Sequence, residues 1–123
     1  MSSIYDDLPR SKKQLADFLN EMGLRWVHQF PVVVYDKQKI LQVYSPDFYI
    51  PKLRMFIECC GSQDFDYEYR GDIYDINGIR VIFVHVDKDE TKWKRYLFNR
   101  IREIEDQKYT EIIDSLSRLV KLG

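Results

Sequence analysis

The chain has 123 residues, a length typical of one compact domain. Hydrophobic residues make up 45% of it and aromatic residues 15%, which supports a packed core and excludes a wholly disordered protein. Its 19 Lys and Arg against 20 Asp and Glu give a formal net charge of −1, which argues against a strongly basic protein that coats nucleic acid regardless of sequence. The same charge is compatible with an enzyme that handles nucleic acid locally and recruits a divalent cation.

Hydropathy and cysteine usage indicate the compartment. No apolar run approaches the roughly 20 residues of a membrane helix, and residues 1–13 lack the apolar segment of a secretory signal. The two cysteines, Cys59 and Cys60, are adjacent and define no disulfide framework. We therefore expect a soluble, cytoplasmic protein without a membrane partner.

The predicted elements begin with a helix and several strands. Ser11 and Gln14 have the Ser-x-x-Gln spacing of a capping box, and Gly23 stands where a helix C-cap is expected. The β-branched and aromatic segment that follows is interrupted at Pro31, so it predicts one strand or a bent pair. Strands are predicted at 26–35, 40–44, 46–50 and 55–60.

The second half of the chain is predicted to be mostly helical. A helix is expected over 65–76, with Asp64 as its candidate N-cap and Asn77-Gly78 as its end. A nearly continuous apolar strand at 79–86 is expected to be covered on both faces. Helical spacing of apolar residues then runs over 90–122, with a weak point at 106–109. The prediction is a single α/β domain over 1–123, with its core at 11–87, a small and mainly antiparallel mixed sheet, and a C-terminal helical segment.

The strongest local pattern is a hairpin with acidic residues on one face. A four-residue loop at 51–54 pairs Ile50 with Met55 and places Asp47 opposite Glu58. Opposed side chains lie about 5 Å apart, so two like charges there repel. A divalent cation held by both carboxylates would offset that repulsion, since Mg²⁺ accepts one or two carboxylates plus water. The alternative is that both acids are solvated on an exposed sheet face.

These residues resemble a nuclease motif. The segment Tyr44 to Pro51 reads YSPDFYIP, and Phe56 to Gly61 reads FIECCG. Together they resemble the PD-(D/E)xK nucleases, in particular the small phage and archaeal members and the very-short-patch-repair-like endonucleases. The resemblance covers roughly residues 11–87. It implies a three-layer, restriction-endonuclease-like core in which helices flank the sheet.

The resemblance also implies roles for individual residues. Asp47 and Glu58 would bind Mg²⁺ or Mn²⁺, with the backbone carbonyl of Cys59 as a third ligand. Cys60 occupies the position of the family's lysine, and a thiol supplies neither the positive charge nor, for the most part, the base. We expect Lys52 or Arg70 to provide the relocated cation.

Further residues are candidates for contacts with nucleic acid. Gln63 falls where very-short-patch-repair-like relatives place polar residues of the active site. The start of the last helix is basic, with Trp93 and Tyr96 interleaved, which is typical either of a phosphate-contacting surface or of a solvated helix face. Its candidate contact residues are Lys92, Lys94 and Arg95.

The predicted function is metal-dependent hydrolysis of phosphodiester bonds in duplex or branched DNA. The alternative is a catalytically inactive nuclease-fold module that binds nucleic acid or a partner protein, because Cys60 replaces the lysine. The late apolar row of Ile112, Leu116 and Leu119 predicts either packing on the sheet or a homodimer contact.

Overall fold

The computed structural model describes residues 8–61, 65–86 and 89–122. The predicted order of helix, strands, helix, strand and helix is confirmed. A short 3-10 turn, Pro51–Leu53, joins β4 to β5. The elements are α1 (Arg10–Glu21), β1 (Val27–His28), β2 (Val32–Tyr35), β3 (Leu41–Tyr44), β4 (Phe48–Ile50), β5 (Met55–Cys60), α2 (Tyr67–Ile76), β6 (Val81–His85) and α3 (Glu90–Leu122).

The main sheet is mixed, as predicted. Its strand order is β1-β4-β5-β6; β4 pairs antiparallel with both β1 and β5, whereas β5 and β6 are parallel. Strands β2 and β3 form a separate antiparallel pair. The segment at 26–35 is therefore a bent pair of strands whose halves belong to different sheets. Between them Gln29 adopts a left-handed φ of 53° and Pro31 interrupts the pairing.

The predicted hairpin register is confirmed. Phe48 pairs with Ile57, Tyr49 with Phe56, and Ile50 with Met55. The turn closes with Arg54 in the left-handed region at φ 49°. Side-chain alternation then places Asp47 and Glu58 on the same side of the hairpin, at the end away from the turn.

Helices cover both faces of the main sheet. One apolar face of the sheet packs against α1 and α3 in one buried cluster, whose fully buried helical members are Leu15, Ala16, Leu19 and Leu97. On the opposite face, Tyr74 of α2 packs near Phe83 of β6. The strand residues of the first face are Phe48, Ile50, Met55, Ile57, Ile82 and Val84. Strand β6 is buried on that face and half-buried on the other, so the predicted complete coverage of both faces is wrong.

The predicted capping box of the first helix is wrong. Pro9 is the N-cap, so α1 begins at Arg10 and Ser11 lies inside its first turn. The fixed backbone angle of proline suits this start, and proline has no side-chain acceptor to offer. The Gln14 side chain instead donates to Glu90 Oε1 at 3.4 Å. Gly23, at φ 71°, ends the helix as predicted.

The two later helices also differ from prediction in detail. Asp66 caps α2 by accepting from the Tyr69 backbone N–H at 2.9 Å, whereas the predicted cap, Asp64, lies outside the described residues. Helix α3 continues through 106–109 without a break. In the described part of the chain, none of the helices combines the length and apolar composition that a bilayer crossing requires.

Candidate functional site

Several elements begin or end at one edge of the main sheet. Because β5 and β6 are parallel, with Cys60 paired to His85, their carboxyl ends meet there. Asp47 directly precedes β4, which runs antiparallel to β5, so it lies at the same edge. Helices α2 and α3 follow β5 and β6 and start nearby. The carboxyl ends of neighbouring parallel strands are the usual position for a ligand site in α/β folds.

Asp47 and Glu58 line one cleft at this edge. The cleft has a volume of about 200 Å³, and its other lining residues are Ser45, Cys59, Phe65, Tyr67 and Arg70. Asp47 Oδ1 lies 2.8 Å from the Lys12 ammonium, and Asp47 Oδ2 accepts from the Cys59 backbone N–H at 2.7 Å. Asp47 therefore ties α1 to the end of β5.

Glu58 is the buried member of the pair, with 7% of its surface exposed. Its Oε1 accepts from Arg70 Nη2 at 3.1 Å and from the Tyr74 hydroxyl at 3.2 Å. Burial raises the pKa of Glu58, and the charge of Asp47 adds to that rise, while Arg70 acts against it. The two carboxylates are thus close enough to influence each other electrostatically.

Arg70 is held in place by aromatic neighbours as well as by Glu58. Its guanidinium lies 4.1 Å from the ring centroid of Tyr44, and its Nε donates to the Tyr74 hydroxyl at 3.2 Å. A planar guanidinium over an aromatic ring keeps its N–H groups directed along the plane. Arg70 is therefore a predicted site residue that the structure does bring to the acid pair.

Two cations offset the charges of the acid pair. Lys12 pairs with Asp47 and Arg70 pairs with Glu58, one from α1 and one from α2. The predicted need for compensation is met by these side chains, and the alternative of two solvated acids is wrong because Glu58 is buried. Sequence reasoning missed Lys12, since no local pattern links the first turn of α1 to the hairpin.

The donor set suits a hard divalent cation. Two carboxylates share the cleft, and Mg²⁺ is commonly bound by one or two carboxylates with water completing its shell. Among the described residues there is no group of three or more His, Cys, Asp and Glu side chains at metal-binding distance. Backbone oxygens, such as the predicted one of Cys59, and water would therefore have to supply the remaining ligands.

Cys60 and Lys52 lie in unsuitable places for the missing cation. Cys60 is buried, and burial raises the pKa of its thiol to about 12, so the side chain is neutral near pH 7. Lys52 lies in the turn at the opposite end of the hairpin, where it lines a groove with Leu24 and Phe98. The prediction that Lys52 serves this site is wrong, because the length of the hairpin lies between Lys52 in the turn and Asp47 at the other end.

The predicted nucleic-acid contacts divide into three groups. Lys92 and Arg95 line a shared groove at the start of α3. Lys94 pairs with Glu90 at 3.5 Å and lies 5.6 Å from the Phe18 ring centroid, so it faces α1. Gln63 lies outside the described residues.

His28 is a neighbour of the site that sequence reasoning did not select. It lies on β1 and pairs with Phe48, and the next residue, Gln29, donates its backbone N–H to the Asp47 carbonyl at 3.0 Å. Burial lowers the pKa of His28, and the charge of Lys12 lowers it further. The charge of Asp47 acts in the opposite direction, so His28 lies close enough to both Lys12 and Asp47 for their charges to shift its pKa.

At this edge of the sheet Asp47, Glu58 and Arg70 line a cleft bordered by aromatic rings, and Lys12 pairs with Asp47. Carboxylates can hold a hard cation, while ammonium and guanidinium groups can bind phosphate oxygens. This combination is suited to binding a phosphodiester. The chain matches no family model, no curated protein and no solved structure.

Proposed function

We propose that the protein is a metal-dependent endonuclease that hydrolyses phosphodiester bonds in DNA in the cytoplasm, on a restriction-endonuclease-like core. The observation that carries the proposal is the placement of Asp47 and Glu58 in one cleft at the carboxyl edge of β5, each beside a cation. The resemblance of the hairpin to the PD-(D/E)xK motif supports the same chemistry.

Asp47 and Glu58 would hold Mg²⁺ or Mn²⁺. When bound, the cation would supply Lewis-acid polarisation of a phosphate oxygen. Glu58 is oriented for this role by Arg70 and Tyr74, which fix its Oε1. Asp47 is oriented by the backbone N–H of Cys59.

Lys12 would replace the lysine that the motif lacks. Its ammonium already lies 2.8 Å from Asp47, and a long lysine side chain can turn toward a phosphate oxygen in the same cleft. Arg70 would bind a second phosphate oxygen, because a guanidinium presents several donors in a fixed plane. Together the two cations would stabilise the negative charge that grows as water attacks phosphorus and the ester bond breaks.

The proposed partners are duplex or branched DNA and a second copy of the chain. One such cleft cuts one strand, so cleavage of both strands requires two copies. The row of Ile112, Leu116 and Leu119 on α3 is exposed in the single chain and would form the contact between copies.

The competing proposal is an inactive nuclease-fold module that binds nucleic acid or a protein. The balance of charges in the cleft favours it, because Lys12 and Arg70 neutralise the acid pair without a metal ion. The neutral thiol of Cys60 favours it too. The two proposals differ in whether DNA is cut.

A cleavage assay separates them. Plasmid and branched DNA are incubated with the protein and Mg²⁺, Mn²⁺ or EDTA. We expect cleavage that EDTA abolishes and that falls by roughly 10²–10³ in Asp47→Asn and in Lys12→Met, the usual effect of losing one charge-stabilising group. Lys52→Met is the matched control and should cleave like the wild type, because Lys52 lies in the distant turn.

Two outcomes would contradict the proposed endonuclease activity. One is DNA binding without cleavage in either metal, which supports the inactive module. The other is cleavage that Asp47→Asn leaves unchanged, which removes the acid pair from the reaction.

A further inference from the structure

A second cleft lies between β6 and the start of α3. Its volume is about 500 Å³, and it is lined by Phe83, His85, Lys92, Trp93 and Tyr96. Phe83, Trp93 and Tyr96 contribute aromatic rings, His85 contributes an imidazole, and Lys92 contributes a positive charge. The chemistry assigned above to the acid pair does not use this cleft.

Trp93 carries an unused hydrogen-bond donor in this lining. The residue is 3% exposed, and its Nε1 is buried without a hydrogen-bond partner in the described part of the chain. Trp26 offers a contrast, because its Nε1 donates to Asn20 Oδ1 at 3.0 Å. A buried donor left unpaired is costly, so most are satisfied in native proteins. A ligand with an acceptor atom would satisfy the Nε1–H donor of Trp93.

The remaining side chains favour a flat aromatic ligand that bears a phosphate. Tyr96 is 47% exposed and can present its ring to a ligand. Phe83 adds a second half-buried ring, and Lys92 adds a positive charge. Nucleobases stack on such rings whatever their sequence, while lysines bind the backbone phosphates.

One aromatic ring connects the two clefts. Tyr67 lines the cleft of Asp47 and Glu58. Its ring centroid lies 5.9 Å from the ring centroid of Phe83 and 5.9 Å from that of His85, both in the second cleft. A strand with a phosphate beside Asp47 would therefore pass Tyr67 on its way to the aromatic lining of the second cleft.

We propose that this second cleft binds an unpaired nucleobase, and hence that the substrate is single-stranded at the position next to the cut. A base inside a duplex has both faces covered by its stacked neighbours, so only an unpaired base offers a free face to Tyr96 and an accessible acceptor to Trp93. The link to cleavage rests on the proposed endonuclease function; the binding itself does not need the metal.

Fluorescence measures the binding directly. In Trp26→Phe, Trp93 is the single tryptophan, and the protein is titrated in EDTA with oligothymidylate and with a blunt duplex. We expect the single strand to quench Trp93 and the duplex to do so weakly. Adding Tyr96→Ala should reduce the affinity by roughly 5- to 150-fold, the range for loss of one stacking ring. Phe98→Ala is the matched control, because Phe98 has similar exposure on the same helix and lies outside the cleft.

The outcomes separate this inference from the endonuclease function. Equal affinity in the Tyr96→Ala variant and its parent, or equal affinity for duplex and single strand, would overturn the inference, even if the wild type cuts DNA. Quenching that depends on Tyr96 would support it, even if no cleavage is found. Melting temperatures of all variants check that each one remains folded.

Discussion

At the scale of single residues, burial and neighbouring charges both shift the pKa of Glu58. Its pKa is raised, first by burial and then by Asp47, so the folded protein holds a proton at Glu58 more readily than the unfolded chain. The tighter proton binding of the folded state adds to the free energy of unfolding, and this contribution is complete below the ordinary glutamate pKa of about 4.3. It is lost as the pH rises through the higher pKa of the folded state.

Glu58→Gln tests this prediction, because glutamine cannot titrate. We expect the unfolding free energy of the wild type, measured relative to Glu58→Gln, to fall as the pH rises from about 4 to 7. Each unit by which the pKa is raised corresponds to about 1.4 kcal/mol. Urea unfolding at several pH values measures it. Glu103→Gln is the control, since Glu103 is exposed and pairs with Arg100 at the surface. Parallel pH profiles for the wild type and Glu58→Gln would contradict the raised pKa.

The acid hairpin was predictable at the residue scale, but its cations were only partly so. The alternation from Asp47 to Ile50 and a four-residue turn are local features, and they determine which side chains share a face. Lys12 reaches Asp47 only because α1 packs across β5, and such packing depends on the whole core. Arg70 was identified because α2 follows the acid strand directly.

At the scale of elements, α3 has two different halves. The helix contains 33 residues, which gives a length of about 50 Å. Trp93, Leu97, Ile101 and Ile104 are buried in the domain core, whereas Ile112, Leu116 and Leu119 are 57%, 54% and 65% exposed. The alternative in which this late row packs on the sheet is therefore wrong for the single chain. Apolar spacing predicted the helix but cannot show which partner covers it.

A homodimer that buries the late row is the prediction for α3. We expect light scattering to give a mass near twice 14.9 kDa for the wild type and near 14.9 kDa for the double variant Ile112→Asp, Leu116→Asp. Two aspartates in an apolar contact repel and lose water. The control, Thr110→Asp with Ser117→Asp, adds the same charge to the same helix away from the row. A wild-type mass of 14.9 kDa at working concentration would contradict the dimer.

The strand pattern also shows what local signals leave undetermined. Residues 26–35 have strand propensity on both sides of Pro31, and the sequence does not show that β1 joins the main sheet while β2 pairs with β3 apart from it. The left-handed turn at Gln29 separates them, and glutamine carries no strong preference for that conformation. The start of α1 was misplaced for a similar reason, since Pro9 is as effective a helix start as a capping serine.

At the scale of the whole molecule, a net charge of −1 does not show how the charged side chains are grouped. The parallel pairing of β5 and β6 gathers the acid pair, Arg70 and the basic start of α3 at one edge of the sheet. Under the proposed function Lys12 would have two roles. It would compete with a divalent cation for Asp47, and it would supply positive charge to a bound phosphate. Removing it should therefore strengthen metal binding while weakening cleavage.

Isothermal titration with Mn²⁺ tests most directly whether Asp47 and Glu58 form one metal site. We expect the wild type to bind one Mn²⁺ per chain, Asp47→Asn and Glu58→Gln to lose that binding, and Lys12→Met to bind more tightly because the competing ammonium is gone. Lys52→Met should bind like the wild type, because Lys52 lies at the far end of the hairpin. Wild-type Mn²⁺ affinity in Asp47→Asn or in Glu58→Gln would contradict the shared site.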